Sequence, residues 1–391
     1  MESNSPRGWK FKVSLMLGVT LALLALLEIA ATLKLGQDFA RGRFVGDNWI
    51  AVGRRDTELG WANRAGASGH IAGEGLDYTV SINSLGFRDP ERKYAKPDGI
   101  KRVLVLGDSV AWGWGVDNGE RFSDLLELRL GEGVEVINMG VPGYGTGQQF
   151  WNLEKFGWRY EPDLVVLCLV LNDVLEADMT EHYGMPKPRF ALGEDGQWSV
   201  ERPPGLATTT EINGWAREFA WLQAHSAALT LLTGKKARLG EGLDLDEIVY
   251  RDPGDPARAG IDRATLCIST PGKATHHGLT RMAESCAQHG VPLLVTSMAH
   301  KHDRYLYEPN HPMPVGAQGA DYMSSLSRNV KLAGEAIGFQ TVSADGAMLR
   351  RTLAGDRLHC GDGHPNELGH SIMADALEPL LRELLAADPK R

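Results

Sequence analysis

Runs of apolar residues constrain this chain more than any other feature: "RVLVLG" (102–107), "VEVINMG" (134–140), "PDLVVLCLVL" (162–171) and "VPLLVTS" (291–297). The first, third and fourth lack the polar alternation of a strand with one wet face. They read as short strands covered on both sides. Between them lie segments with helical spacing. "GERFSDLLELRL" puts Phe122, Leu125, Leu126 and Leu130 on one face, and "GTGQQFWNLEKFGW" supplies a second helix. Further helices are expected around 274–289, 321–337 and 366–386, with a short strand "FQTVSA" before the last. Such alternation predicts an α/β class: a three-layer α/β/α sandwich of about five parallel strands.

The N-terminus follows different rules. From Val13 to Leu33 a single charge, Glu28, interrupts the apolar sequence. About 20 such residues at ~1.5 Å rise span a ~30 Å hydrocarbon core. No Ala-x-Ala site closes the run, so an uncleaved anchor over 13–35 is expected. Arg7, Lys10 and Lys12 before it favour a cytoplasmic segment 1–12 and an extracytoplasmic domain, although Lys34, Arg41 and Arg43 follow it. Residues 36–100 then read as a linker and short β-containing lead-in, in which Tyr78, Val80 and Ile82 alternate. Residues 101–386 form the main domain. An insertion over 175–270, rich in Gly, Pro and Thr, interrupts it, with a helix expected in "INGWAREFAWLQAHSAALTLL".

A net charge of −9 without a dominant basic patch excludes a general nucleic-acid binder. Four scattered cysteines form no Cys-x-x-Cys pair, which argues against structural zinc; a Cys267–Cys286 bridge stays open for an oxidising compartment. His300, His302, Asp303 and His311 offer either metal ligands or a polar cleft rim. A Walker loop and a complete Gly-x-Gly-x-x-Gly fingerprint are absent, so no nucleotide cofactor is expected.

In open parallel sheets ligands meet the carboxyl ends of the strands. What stands there in this chain is Gly107-Asp108-Ser109, then "NMGVPGYGTG" with Gly140, Gly143 and Gly145, then Asn172-Asp173, and finally "DRLHCGDGHPNELGH". A serine, glycine-rich backbone, an amide and an Asp/His cluster are the parts acyl transfer requires. Asp108 and Asp173 read as hydrogen-bonding partners of the strand-end turns, and Cys360 as a bystander. Trp112, Trp114 and Tyr144 read either as a platform for a sugar or acyl chain or as packing of the first helical turns.

Over residues 100–385 these motifs resemble the SGNH (GDSL-type) hydrolase family. The resemblance implies that Ser109 of "GDSV" is the nucleophile and that its backbone N–H faces an oxyanion. Gly143 of "NMGVPGYGT" and Asn172 of "LNDV" would complete the oxyanion hole, with His364 of "DGHPN" as base and Asp362 as its orienter. Val170 stands where the family usually has glycine. Asp362 and His364 are separated by one residue instead of two, so Asp356 and His359 remain the rival pair. "INSLGFRD" is similar to a membrane-anchored subgroup. The implied activity is an esterase without cofactor or metal, acting on O-acetyl or other short acyl esters, with carbohydrate a plausible carrier. The alternatives are an O-acyltransferase for a cell-surface polysaccharide and a non-catalytic scaffold. Protein partners cannot be read from the sequence.

Overall fold

The computed structural model describes residues 6–35, 44–45, 52–73, 76–182, 185–202, 270–298 and 323–387. Helix α1, Pro6–Leu35, contains an apolar stretch, Phe11–Ala31, that is 21 residues long with a mean hydropathy of 2.3. It is a candidate membrane span or signal sequence by length and composition.

Strands β1 (Phe44–Val45), β4 (Ser68–Gly73) and β5 (Leu76–Ser81) form one small sheet, and β2 (Gly53–Asp56) pairs with β3 (Gly60–Asn63). The lead-in is therefore more than a linker. As its alternation predicts, β5 buries Tyr78 and Val80, and they pack with Ile71, Ile82, Trp112 and Trp114 in a small core of their own.

Strand β6 (Lys101–Gly107) leads into a single turn of helix, α2 (Ser109–Trp112), then α3 (Phe122–Leu130) and β7 (Val134–Asn138). Helix α4 (Thr146–Lys155) connects to β8 (Leu164–Leu169) and the short α5 (Leu171–Leu175). Two hairpins follow within the expected insertion: β9 (Glu181–His182) with β10 (Met185–Pro186), and β11 (Arg189–Leu192) with β12 (Trp198–Glu201). The helix expected at 212–232 lies outside the described residues. Helix α6 (Thr270–His289), β13 (Leu293–Ser297), α7 (Ser325–Ile337) and β14 (Gln340–Ser343) continue the alternation. Helix α8 (Asp345–Leu353) was not legible in the sequence, having no side-chain cap at its start. The final helix is α9 (Glu367–Ala386), whose first turn Asn366 caps by accepting from Gly369 N–H at 3.0 Å.

The central sheet has the order β7-β6-β8-β13-β14, every pair parallel. Successive side chains alternate between two cores. Leu104, Leu106, Val165 and Leu167 pack under α4, α6 and α7, while Val103, Val105, Val166 and Cys168 pack under α3, α8 and α9. Each fully buried aliphatic side chain contributes ~1.5–3 kcal/mol, so the two faces carry the stability. The strand ends are left to polar groups.

Helices α3 and α9 are joined by His370, which is fully buried and stacks on Phe122 at 6.0 Å. The Phe122 N–H donates to its Nδ1 at 3.2 Å, so the ring must stay unprotonated there. Burial, assisted by Arg121 and Arg88, pulls its pKa down to about 3. An unfolded histidine takes up a proton near pH 6.5, and the folded one does not until about pH 3. Stability from this group is therefore present above pH 6.5 and erodes as the pH falls, by up to ~1.4 kcal/mol per unit. His370→Gln is expected to be less stable than wild type at pH 7.5. In urea denaturation that gap should narrow steadily from pH 6.5 to 4.5, because the variant lacks the titrating group.

Candidate active site

Strands β6 and β8 are neighbours whose connections run to opposite sides, which makes the gap beyond their carboxyl ends the topological switch point. Ser109 follows β6 and Asn172 follows β8, so the two motifs flank that gap.

The turn that presents Ser109 is built by its neighbours. Gly107 has φ +152°, and a Cβ there would lie 2.6 Å from Ala111 Cβ and 2.8 Å from the Cys168 carbonyl oxygen. Only glycine lets β6 pass this close to β8 before the chain turns. Asp108, fully buried, caps α2 by accepting from Val110 N–H at 2.9 Å. Its other oxygen accepts from Asn172 Nδ2 at 2.8 Å and lies 3.2 Å from Ser109 Oγ. The sequence reading of Asp108 as a turn partner holds, but its reach to Asn172 had no signal in a chain where the two stand 64 residues apart.

The last motif closes the site. His364 Nε2 is 2.9 Å from Ser109 Oγ, and Nδ1 is 3.0 Å from Asp362 Oδ2. Because Nδ1 faces a carboxylate it carries the hydrogen, which leaves Nε2 free to accept the serine proton. Asp362 Oδ1 accepts the His364 backbone N–H at 3.1 Å, with Gly363 at φ +93° making the tight turn between them. Burial works to raise the Asp362 carboxyl, but hydrogen bonds and charge from His364, with a bond from Trp114, hold it below the usual range.

Asp356 is paired with Arg351, and His359 is pulled down to about 4 by burial. Cys360 has its thiol pushed up to about 12 by burial and by Asp362, which leaves it unreactive as a thiolate.

The glycine loop after β7 supplies backbone. Gly140 sits so close that a Cβ would meet Trp112 N at 2.5 Å, and its N–H donates to Asn138 Oδ1 at 2.9 Å. Gly143 takes φ +74°. Among the described residues neither the Gly143 nor the Ser109 backbone N–H has an acceptor. Gly145 N–H is held by Gln148 Oε1 at 3.2 Å, and Lys187 Nζ lies 2.9 Å from where its Cβ would stand. Asp173 accepts from Val170 N–H and Gln149 Nε2, both at 2.8 Å, and burial next to Asp108 raises its carboxyl well above the usual range.

The aromatic platform is not what the structure contains. Trp112, Trp114 and Tyr144 are buried, and each spends its polar atom inside the protein. Trp112 Nε1 donates to Asn63 Oδ1, Tyr144 Oη to the Trp61 carbonyl, and Trp114 Nε1 to Asp362 Oδ2. Three supporting residues escaped the sequence reading. Lys187, from the insertion, donates to the Glu176 carbonyl at the end of α5 at 2.6 Å, and Arg88 holds the loop after α2. Trp61, from the lead-in, donates to the Pro142 carbonyl at 2.8 Å. His300, His302, Asp303, His311 and Cys267 lie outside the described residues. Cys286 is buried, its thiol pushed up to about 12.

The Gly107→Ala change is expected to lower stability by ~1–3 kcal/mol, since the atoms its Cβ meets belong to a backbone carbonyl and a core methyl. Urea denaturation of the folded variant measures it.

Among known proteins, the model of the GDSL-like lipase/acylhydrolase family matches residues 105–372. No curated protein matches the chain. Solved structures similar to it include a member of the lipolytic protein G-D-S-L family from Veillonella parvula DSM 2008, at 13% identity and a TM-score of 0.37. That match covers 72% of this chain and 99% of the other. The lipase/acylhydrolase from Enterococcus faecalis is 15% identical with a TM-score of 0.36, over 75% of this chain and 100% of that one. A catalytic mutant of an acetylxylan esterase from Geobacillus stearothermophilus is also 15% identical with a TM-score of 0.36, over 75% and 98%.

Proposed function

The chain belongs to the GDSL-like lipase/acylhydrolase family of ester-hydrolysing enzymes, and on that premise we propose that it is a serine esterase working through an acyl-serine intermediate. The observation that carries the reading is the unbroken hydrogen-bonded line from Asp362 through His364 to Ser109, at 3.0 and 2.9 Å. In this reading Ser109 Oγ attacks the ester carbonyl as its proton passes to His364 Nε2. Asp362 keeps the hydrogen on Nδ1 and stabilises the imidazolium that forms. The backbone N–H groups of Ser109 and Gly143 and the second hydrogen of Asn172 Nδ2 receive the oxyanion. His364 then protonates the departing alcohol oxygen, which breaks the ester bond. Water, giving a proton to the same nitrogen, attacks the acyl-serine, and His364 returns that proton to Ser109 Oγ as the acyl–oxygen bond breaks and the acid leaves.

The substrate we assign is an O-acetyl or other short acyl ester, with carbohydrate as the carrier. Support for this substrate comes from the family; the absence of a Gly-x-Ser-x-Gly elbow around Ser109 separates the site from an ordinary α/β-hydrolase. We further propose that residues 13–35 anchor the chain in a membrane, that 36–100 are a linker and short β-containing lead-in to the domain over 101–386, and that the domain lies outside the cytoplasm. The exposed apolar surface of α1 and the basic residues Arg7, Lys10 and Lys12 before its apolar stretch support this arrangement.

The test is labelling of the full chain in detergent with a fluorophosphonate probe, followed by hydrolysis of p-nitrophenyl acetate. Wild type and His359→Ala should label, whereas Ser109→Ala and His364→Ala should not. Asn172→Ala should label slowly and lose ~10²–10³ in kcat. Labelling that survives Ser109→Ala would overturn the assignment of the nucleophile.

A further inference from the structure

We propose that Trp114 is a positioning residue for ester hydrolysis, its indole N–H holding the Asp362 carboxylate in the orientation that aligns His364 with Ser109. This rests on the roles given above to Ser109, His364 and Asp362.

The geometry is direct. Trp114 Nε1 donates to Asp362 Oδ2 at 2.9 Å, and that same oxygen accepts from His364 Nδ1 at 3.0 Å. The remaining oxygen is bonded to the backbone of His364 itself. Asp362 and His364 thus share one tight turn and would move together. Trp114 lies 248 residues away on the nucleophile's side and references that turn to Ser109. The indole is tilted over the imidazole, with ring centroids 5.8 Å apart, and the Trp114 backbone N–H donates to the Ser109 carbonyl at 2.9 Å. One residue therefore contacts all three members of the line.

A positioning residue must itself be rigid, and the loop that carries Trp114 has little regular structure to make it so. Gly113 and Gly115 take φ +89° and +93° on either side of it. Arg88, from the "INSLGFRD" stretch, supplies the rigidity. It is fully buried, and its guanidinium donates to the carbonyls of Trp112, Gly113 and Val116, to that of Thr79, and to Asn118 Oδ1. All five of its N–H donors are used. The guanidinium also lies 4.6 Å from the centre of the Trp112 ring. The motif that the chemistry left unexplained is in this way the anchor of the Trp114 loop.

Losing the indole N–H has two effects with different signatures. Orientation suffers, which lowers kcat. In addition, Oδ2 loses a donor, carries more of the carboxylate charge for the imidazole, and favours its protonated form. The groups that interact with this pair are Ser109, Tyr78 from β5, His359 and Cys360 from the motif loop and His370 from α9, with Arg88 beside Tyr78, Glu367 beside Cys360 and Asp108 beside Ser109. None of them is altered by the change.

The experiment compares wild type, Trp114→Phe and Ser109→Ala as full chains in detergent, with p-nitrophenyl acetate as the probe. Trp114→Phe should lose about tenfold in kcat, as expected for one hydrogen bond to a charged group, with KM unchanged within about twofold. The acid limb of its kcat/KM profile should move to higher pH. Site-specific replacement of the indole by benzothiophene, which keeps the shape and removes the N–H, should do the same and serves where the Phe variant does not fold. Wild-type kcat in either variant overturns the inference. So does a loss of kcat with an unmoved acid limb, which would mark a merely structural residue. If Ser109→Ala retains activity, the proposed function fails first; if it is inactive while Trp114→Phe is normal, only the inference on Trp114 fails.

Discussion

A single buried carboxylate organises the mouth of the sheet. Asp108 has no exposed surface, and an unpaired charge in that position would cost several kcal/mol. It meets that cost by accepting from Val110 N–H and Asn172 Nδ2, and in doing so ties the helix turn after β6 to the one after β8. Ser109 and Asn172 are thereby fixed relative to each other. In the function proposed above, such preorganisation is what would make oxyanion stabilisation effective, because no dipole has to turn during reaction. The same oxygen lies 3.2 Å from Ser109 Oγ, so the hydroxyl has two acceptors for one proton, and His364 at 2.9 Å is the nearer.

Around this centre, irregular backbone is held by buried arginines. Arg102, at the start of β6, donates to the carbonyls of Lys93, Tyr94, Ala95 and Tyr160 and pairs with Glu135. Arg88 does the equivalent at the opposite end of the strand. A planar guanidinium with five fixed donors can satisfy several carbonyls at once, which lysine cannot. Loops that form no ladder therefore keep defined shapes, and the residues they carry, Trp114 above all, have defined directions. Burial brings the Arg88 pKa down to about 9, so it remains a cation at neutral pH.

Segments outside the core alternation brace the glycine loop after β7. Trp61 and Leu59, from the lead-in, hold the Pro142 carbonyl and Gln148. Lys187, from the insertion, sits between the Gly145 turn and the end of the helix bearing Asn172. Together they hold the residues on either side of Gly143.

The sequence by itself determined the fold. Continuous apolar runs with helices between them admit few arrangements except a parallel sheet covered on both faces, and the strand ends bring Ser109, the glycine loop 140–145, Asn172 and the Asp/His cluster 356–364 to one edge; the choice of Gly143, His364 and Asp362 within them came from the resemblance to the SGNH family. That much is local: periodicity and turn chemistry act over a few residues and can be read along the chain. What only the tertiary structure decided is which side chains meet. Asp362 and its rival Asp356 both stand near a histidine in sequence, yet Arg351 takes Asp356, while Trp114 and His364 take Asp362. Trp112, Trp114 and Tyr144 read in one dimension either as a binding platform or as packing, and in three they are struts. These contacts span tens to hundreds of residues. They depend on burial, which leaves each polar atom to find whatever partner the packing brings within reach, and no spacing along the chain records that.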